Sequence, residues 1–306
     1  MTVSAAAQGH EEALRLIVGF SPRSASDTMA SALAPELSKV LGRPVVLDRH
    51  MGEDGVVAAR TLMPCPPDGR HLMIVTLGTH ALSPAVALIP PYDPVADFTP
   101  VALLMRTPLV LGVAATLPVT SMADLLALAR TRRLTFGCSA AVGAPRLAAE
   151  LFKRDANLDL HAVVYAQTEE LYADLAAGRI DASFNNPMTM LPVMAKGQVR
   201  GIASTGSARL AAAPSLPTME ECGLANFVVE NWVGIVAPKG LPADAAERLN
   251  QAVRTTLATP SMAATLAQLG LEAPAADDAS GSAAGFAAYI GSQFSRWAPV
   301  APVLRG

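Results

Sequence analysis

The chain has 306 residues, more than one ordinary core and close to the length of two lobes. Hydrophobic residues make up 51% and charged residues 16%, which excludes a disordered chain, and a net charge of −3 excludes the basic face that nucleic acid demands. Three cysteines, Cys65, Cys138 and Cys222, with no Cys-x-x-Cys, make neither a disulfide framework nor a zinc site, although one pair is left free to bridge.

In chain order, "MTVSAAAQGHEEA" lacks the basic and apolar regions of a secretory leader, so the sequence reads either as a cytoplasmic protein or as a mature form with a start methionine. The strand-like "LRLIVGF" then runs through the polar "SPRSAS" into the Ala/Leu helix "DTMASALAPELSKVLG". A strand feeding a polar loop and a helix N-terminus is a common anion-binding device, and it raises the question of what Arg23 does in that loop. "RPVVLD" reads as the next strand. The uncharged stretch His71–Tyr92 reaches membrane-span length but is broken by Gly78, His80, Pro84, Pro90 and Pro91; it predicts a buried strand, a polar loop and a short helix. "PLVLGVAA" and the helical "SMADLLALARTR" follow, and then the opening layout returns: "RLTFG", the loop "CSAAVGA" and the helix "PRLAAELFKRD". Beyond it lie the strands "HAVVYA", "IDASFNN", "VRGIASTG" and "NWVGIVAP", the helix "EELYADLAAG", and two C-terminal helices. Strands alternating with helices predict an α/β architecture with largely parallel sheets.

In such sheets ligands sit beyond the carboxyl ends of strands. The loops there carry Ser21, Arg23, Ser24 and Ser26; Arg49 and His50; Thr76, Thr79 and His80; Ser139; Tyr165 and Gln167; Asn185 and Asn186. Hydroxyls, amides and helix N-termini suit a small polar anion. There is no G-x-S-x-G, no H-E-x-x-H and no P-loop, so the sequence predicts neither a catalytic set nor a cofactor or metal site.

At these loops the chain resembles the extracytoplasmic solute receptors of the tripartite tricarboxylate transporter family, the Bug receptors, from about Leu14 to Trp297. The resemblance rests on the joint order of "PPDG" (66–69), "TLGTHALSP" (76–84), "PYDPVADFTPV" (91–101), "LPVTSMADLLALA" (117–129), "AAELFK" (148–153), "GRIDASFNN" (178–186), "LPTMEECGL" (216–224) and "NWVGIVAPKGLP" (231–242). It implies a type II periplasmic binding protein: two α/β lobes joined by crossing strands, with a ligand cleft between them that closes on a small carboxylate. The lobes expected are 14–110 with 234–306, and 111–233. The resemblance also implies a periplasmic location, membrane transporter subunits as partners, a monomer and no enzymatic turnover.

Where the family's first loop reads Phe-x-x-Gly-Gly-x-x-Asp, Phe20 and Asp27 stay but Arg23 and Ser24 replace the glycines. A side chain at such a glycine either blocks or replaces the backbone contact with ligand. The family's Asn-Arg-Pro-Gly-Ala-Gly-Gly is "RHMGEDG", which keeps Gly52 and Gly55 but adds the acids Glu53 and Asp54, and the second-lobe loop is "CSAAVGAPR", with Arg146 where the family has His. Asp27 is expected to cap its helix, and Arg146 to pair with Glu53 or Asp54. Cys138 is expected to be a buried small hydrophobe and Trp232 a packing residue where the chain crosses back. The ligand-binding residues expected are Ser21, Arg23, Ser24, Asp27, Thr76, Thr79, His80, Ser139, Ala140, Gly143, Arg146, Tyr165 and Asn185. Two other functions fit the same frame: a sensor that reports occupancy to a signalling partner, and an enzyme, for which a Cys138–His80 pair is the one dyad in view.

Overall fold

The computed structural model describes residues 13–271, 273–274 and 278–305, so the N-terminal segment read above lies outside the described residues. They form two five-stranded sheets, one in each of two units. The first unit holds the described residues of Met1–Met105, Trp232–Leu266 and Glu272–Val300; the second holds those of Arg106–Asn231, Ala267–Leu271 and Ala301–Gly306.

The first sheet is built from β1 (Leu14–Val18), β2 (Val45–Arg49), β3 (His71–Thr76), β4 (Phe98–Pro108) and β10 (Glu230–Pro238), in the order β2-β1-β3-β10-β4. The second uses β5 (Val110–Ala114), β6 (Leu134–Cys138), β7 (Leu160–Val164), β8 (Ala182–Asn185) and β9 (Val199–Ser204), in the order β7-β6-β8-β5-β9. Each begins with a parallel trio, β2-β1-β3 and β7-β6-β8. Each then turns antiparallel, β10 running against β3 and β5 against both β8 and β9. The sheets are thus mixed, which corrects the expectation of largely parallel pairing. Strands such as β3, β5 and β10 are apolar on both faces, and a doubly covered strand shows the same run whichever way it points.

Two strands carry the chain between units, β4 across Met105/Arg106 and β10 across Asn231/Trp232. The division departs from the sequence expectation at its edges. Ala267–Leu271 and Ala301–Gly306 group with the second unit, not the first. The physical reason is apolar: Leu271 is buried, and the short 3-10 turn Ala301–Arg305 buries Ala301 and Leu304 against the helix Ala144–Asp155.

The loop-to-helix connections form where the sequence predicts them. Helix α1 (Ala25–Leu41) follows β1 and buries Met29, Ala30, Leu33, Ala34 and Leu37. That i, i+4 stripe is what an amphipathic helix lays on a sheet, each Leu or Met contributing about 1.5–3 kcal/mol of burial. After β2 a short helix, α2 (Val56–Leu62), returns the chain to β3. Past β3 a π-turn over Gly78–Leu82 leads into the one-turn helix α3 (Ser83–Val86). In the second unit α4 (Met122–Thr131) starts at a full capping box between Ser121 and Asp124. Helix α5 (Ala144–Asp155) follows β6, and α6 (Thr168–Ala176) follows β7. Phe136, Phe152 and Phe184 form that unit's aromatic centre, with ring centroids 5.9–6.0 Å apart. In the first unit Trp232 is buried edge-on to Phe286 and Tyr289, the packing role its sequence position suggests.

Candidate functional site

The carboxyl ends of the first parallel trio, β1, β2 and β3, feed the loops that carry the expected first-unit residues. Contact between these loops needs glycine at one point. Gly55 has φ 92, and a Cβ placed on it would lie 2.6 Å from Thr79 Cγ2 and 3.2 Å from the Phe20 ring. Only glycine suits both the conformation and the space.

Ser21, Arg23, Ser24 and Asp27 come together in one turn. Ser24, not Asp27, is the N-cap of α1: its Oγ accepts the Asp27 N–H at 3.3 Å. Asp27, three residues on, is buried, which corrects the expectation that it caps the helix. A hydroxyl one turn earlier serves the orphan amide, leaving the carboxylate for longer reach. Its Oδ2 accepts the Arg23 N–H at 3.0 Å, and its Oδ1 pairs with Arg49 Nε at 2.7 Å. Arg23 itself has φ 64, the left-handed region, and its side chain is exposed. The position has therefore kept the backbone of a glycine while gaining a side chain. Asp54, φ 52, and its neighbour Glu53, φ 47, the two extra acids of the loop after β2, also lie in the left-handed region. With the Arg23 amide taken by Asp27, the first-turn amides of Ala25 and Ser26 are the donors that a helix N-terminus leaves over.

Thr76, Thr79 and His80 are packed inward. The Thr79 hydroxyl donates to Thr76 O at 3.2 Å and accepts the Thr76 N–H at 2.9 Å. His80 Nδ1 lies 3.1 Å from Thr79 Oγ1, and its ring sits against Phe98 and Tyr92 at 4.7 and 5.9 Å. Tyr92 donates to Thr79 O at 2.7 Å. His80 is fully buried, and burial pushes its pKa down to about 3, so it is neutral at ordinary pH. It serves the π-turn's packing and presents no accessible nitrogen.

In the second unit the carboxyl ends of β6, β7 and β8 do the same work. Ser139 Oγ stands 3.5 Å from Asn185 Oδ1, while Asn185 Nδ2 donates to Ser183 Oγ at 2.7 Å. That hydroxyl in turn donates to Gly137 O at 2.7 Å. The loop through Ala140 reaches Gly143, the N-cap of α5, whose extended backbone (φ −176) any residue can adopt. Arg146 is buried on the first turn of α5 and pairs with Glu150 at 2.7 Å, one helical turn on, while Glu53 pairs with Arg60. Tyr165 packs on the second unit's core and donates to Asp174 at 2.7 Å, an arrangement in which burial and the carboxylate push the phenol up to about 12.

Cys138 is buried with its thiol pushed up to about 12 by burial, which makes it a small hydrophobe rather than a nucleophile. His80 lies in the first unit's aromatic cluster and Cys138 inside the second unit's sheet, so neither presents a reactive group. The three cysteines are free thiols. Among the described residues no cluster of His, Cys, Asp or Glu is placed to hold a metal ion, and no helix is long and apolar enough to cross a membrane. Arg49, named in the sequence only among the strand-end loop residues and left out of the expected binding set, is the partner of Asp27. Its one signal was its place at the carboxyl end of β2, beside the loop it stabilises.

The model of the "Tripartite tricarboxylate transporter family receptor" matches residues 29–302. A protein of Pseudomonas sp. (strain P51), described as a UPF0065 protein, is 30% identical over 92% of this chain and 83% of its own length. Among solved structures, a protein of R. palustris with adipate superposes with a TM-score of 0.88 at 32% identity, over 95% of this chain and 96% of that one. MatC from Rhodopseudomonas palustris, with bound malate, also reaches 0.88, at 27% identity over 94% and 98%.

Proposed function

Since the chain belongs to the tripartite tricarboxylate transporter receptor family, we propose that this solute-binding receptor captures a small carboxylate in the periplasm and presents it, as a monomer, to the membrane subunits of a tripartite transporter. Its work is binding alone, with no bond made or broken. The observation that carries this reading is the repeated device at the carboxyl end of each parallel trio: a polar loop entering a helix N-terminus, at Ser21–Ser24 before α1 and at Ser139–Gly143 before α5. Such termini favour anions through their leftover N–H groups and the helix dipole. Proteins of the same fold, solved with adipate and with malate, support the carboxylate class.

We assign the ligand contacts to the first-turn amides and hydroxyls of both loops and to the Arg23 guanidinium, which offers a planar donor fork to a carboxylate. Ser21, Ser24, Ser139, Ala140 and Gly143 line these loops, and Asp27, Thr76, Thr79, His80, Arg146, Tyr165 and Asn185 act from behind them.

A thermal-shift screen of aliphatic mono-, di- and tricarboxylates, including adipate and malate, tests the reading. A ligand present at a hundred times its Kd should stabilise the protein by about 2.7 kcal/mol, a rise of several degrees in Tm. Mass spectrometry of the recovered acid should find it unchanged. A screen with no shift, or an acid chemically converted, overturns the proposal.

A further inference from the structure

The ion pair between Asp27 and Arg49 stands at the first-unit loop and joins the first turn of α1 to the end of β2. The Asp27 side chain is 7% exposed, while Arg49 keeps 39% of its side chain in solvent. Asp27 Oδ2 fixes the Arg23 amide in its left-handed turn, and Oδ1 meets Arg49 Nε at 2.7 Å. A buried carboxylate that holds a loop at a helix N-terminus occupies the same positive field that an anionic ligand would use. Left uncompensated it would repel that ligand and would itself be costly to keep buried.

We propose that Arg49 is a positioning residue for ligand capture: its guanidinium neutralises Asp27, so the buried carboxylate can lock the Ser21–Ser24 turn without competing with an anion bound at the start of α1. The inference rests on the carboxylate-receptor reading above. Arg49 touches Asp27, acts through it, and is itself 22 residues away in sequence at the end of a neighbouring strand. The interaction is a single Nε contact, so charge matters more here than the bidentate fork.

The test uses the full chain, titrated calorimetrically with adipate and with malate. Arg49→Gln should weaken binding at least about tenfold, the effect of an uncompensated buried charge. Arg49→Lys, which keeps the charge, should stay within a few-fold of the parent. The double variant Asp27→Asn/Arg49→Gln should recover most of the loss, because the amide oxygen still accepts the Arg23 N–H and the unpaired charge is gone. An unchanged Arg49→Gln, or a double variant as weak as Arg49→Gln alone, overturns the proposal. Hydrogen exchange on the ligand-free variants separates this inference from the receptor reading. If the parent binds neither acid, the carboxylate reading has failed on those probes, and exchange still decides. Faster exchange over residues 20–28 in Arg49→Gln, restored in the double variant, supports the positioning role, and identical exchange in all three proteins sinks it.

Discussion

Arg23 carries two separable effects, one in its backbone and one in its side chain. Its φ of 64 brings Cβ close to the carbonyl oxygen, which costs an L-residue roughly 1–2 kcal/mol and a glycine almost nothing. Arg23→Gly is therefore expected to stabilise the fold by roughly 1 kcal/mol once the extra freedom of glycine in the unfolded chain is deducted. Asp54→Gly should gain less, since aspartate tolerates that region better than arginine. The same Arg23→Gly change removes the guanidinium, and affinity for adipate or malate should fall about ten- to a hundredfold, the worth of one charge-assisted hydrogen bond. Arg23→Lys should recover part of that affinity and none of the stability. Thermal denaturation and titration of the two variants would check this; a less stable Arg23→Gly, or unaltered affinity, would contradict the strain or the contact respectively. At this scale the sequence was readable at Arg23, where the left-handed backbone of a replaced family glycine persists, but not at Ser24, the other replaced glycine, which is an extended N-cap. The partners of charged side chains were not readable. Asp27 on α1 finds Arg49 at the end of β2, Arg146 finds Glu150 within its own helix, and His80 is covered by rings more than ten residues downstream. Such pairings depend on which elements become neighbours, which residue types and spacing do not state.

Elements are tied together in the second unit by Asp181, just before β8. Its carboxylate takes both Arg132 amino groups, at 2.6 and 3.0 Å, and both the N–H and the hydroxyl of Thr135, at 2.8 and 2.9 Å. The Asp181 N–H donates to Thr135 Oγ1, so the end of α4, the start of β6 and the start of β8 meet at one residue. Burial alone would raise its pKa, but these donors outweigh burial and hold it below the usual carboxylate range. A depressed folded pKa means stability that is present above the unfolded value of about 3.9 and is lost as pH falls through the folded value. Asp181→Asn should cost roughly 1–2 kcal/mol at pH 7, discounted because Arg132 is partly solvated. Urea unfolding at pH 7 and pH 3 should show the gap between parent and variant narrowing in acid. A gap that stays constant would mean the carboxylate's charge contributes nothing. Of the elements themselves, the two strand–loop–helix units were legible from their apolar runs and small-residue loops. Strand β4 was not, with Pro100 near its start, nor was the helix Pro187–Ala195, which contains Pro192. Proline at such places argues against the regular element that tertiary packing nonetheless imposes.

On the scale of the whole chain, the sequence made two units readable, because alternating strands and helices recur twice and apolar strands stand where the chain passes between them. It did not show that residues 267–271 and the last described residues group with the second unit. Leu271, Ala301 and Leu304 are single apolar residues in short turns, with no periodicity to announce a destination. Gly270 shows how close the fit is, since a Cβ on it would come within 3.0 Å of Leu191 and 3.3 Å of Ala212. The C-terminal turn thus acts as a clasp on α5, the helix that follows the Ser139–Gly143 loop. Removing residues 301–306 would expose the apolar face that Ala301 and Leu304 cover, at about 2–3 kcal/mol from their burial alone. The loss should fall on the second unit. Hydrogen exchange should quicken in α5 and the Ser139–Gly143 loop while β1, β2 and α1 keep their protection. Affinity for a carboxylate should drop in step, because the α5 N-terminus is one of the two places assigned to hold it. If exchange quickens instead in the helices Ala243–Leu257 and Ala283–Trp297, the tail is anchored to the first unit, as the sequence-based lobe boundaries had it.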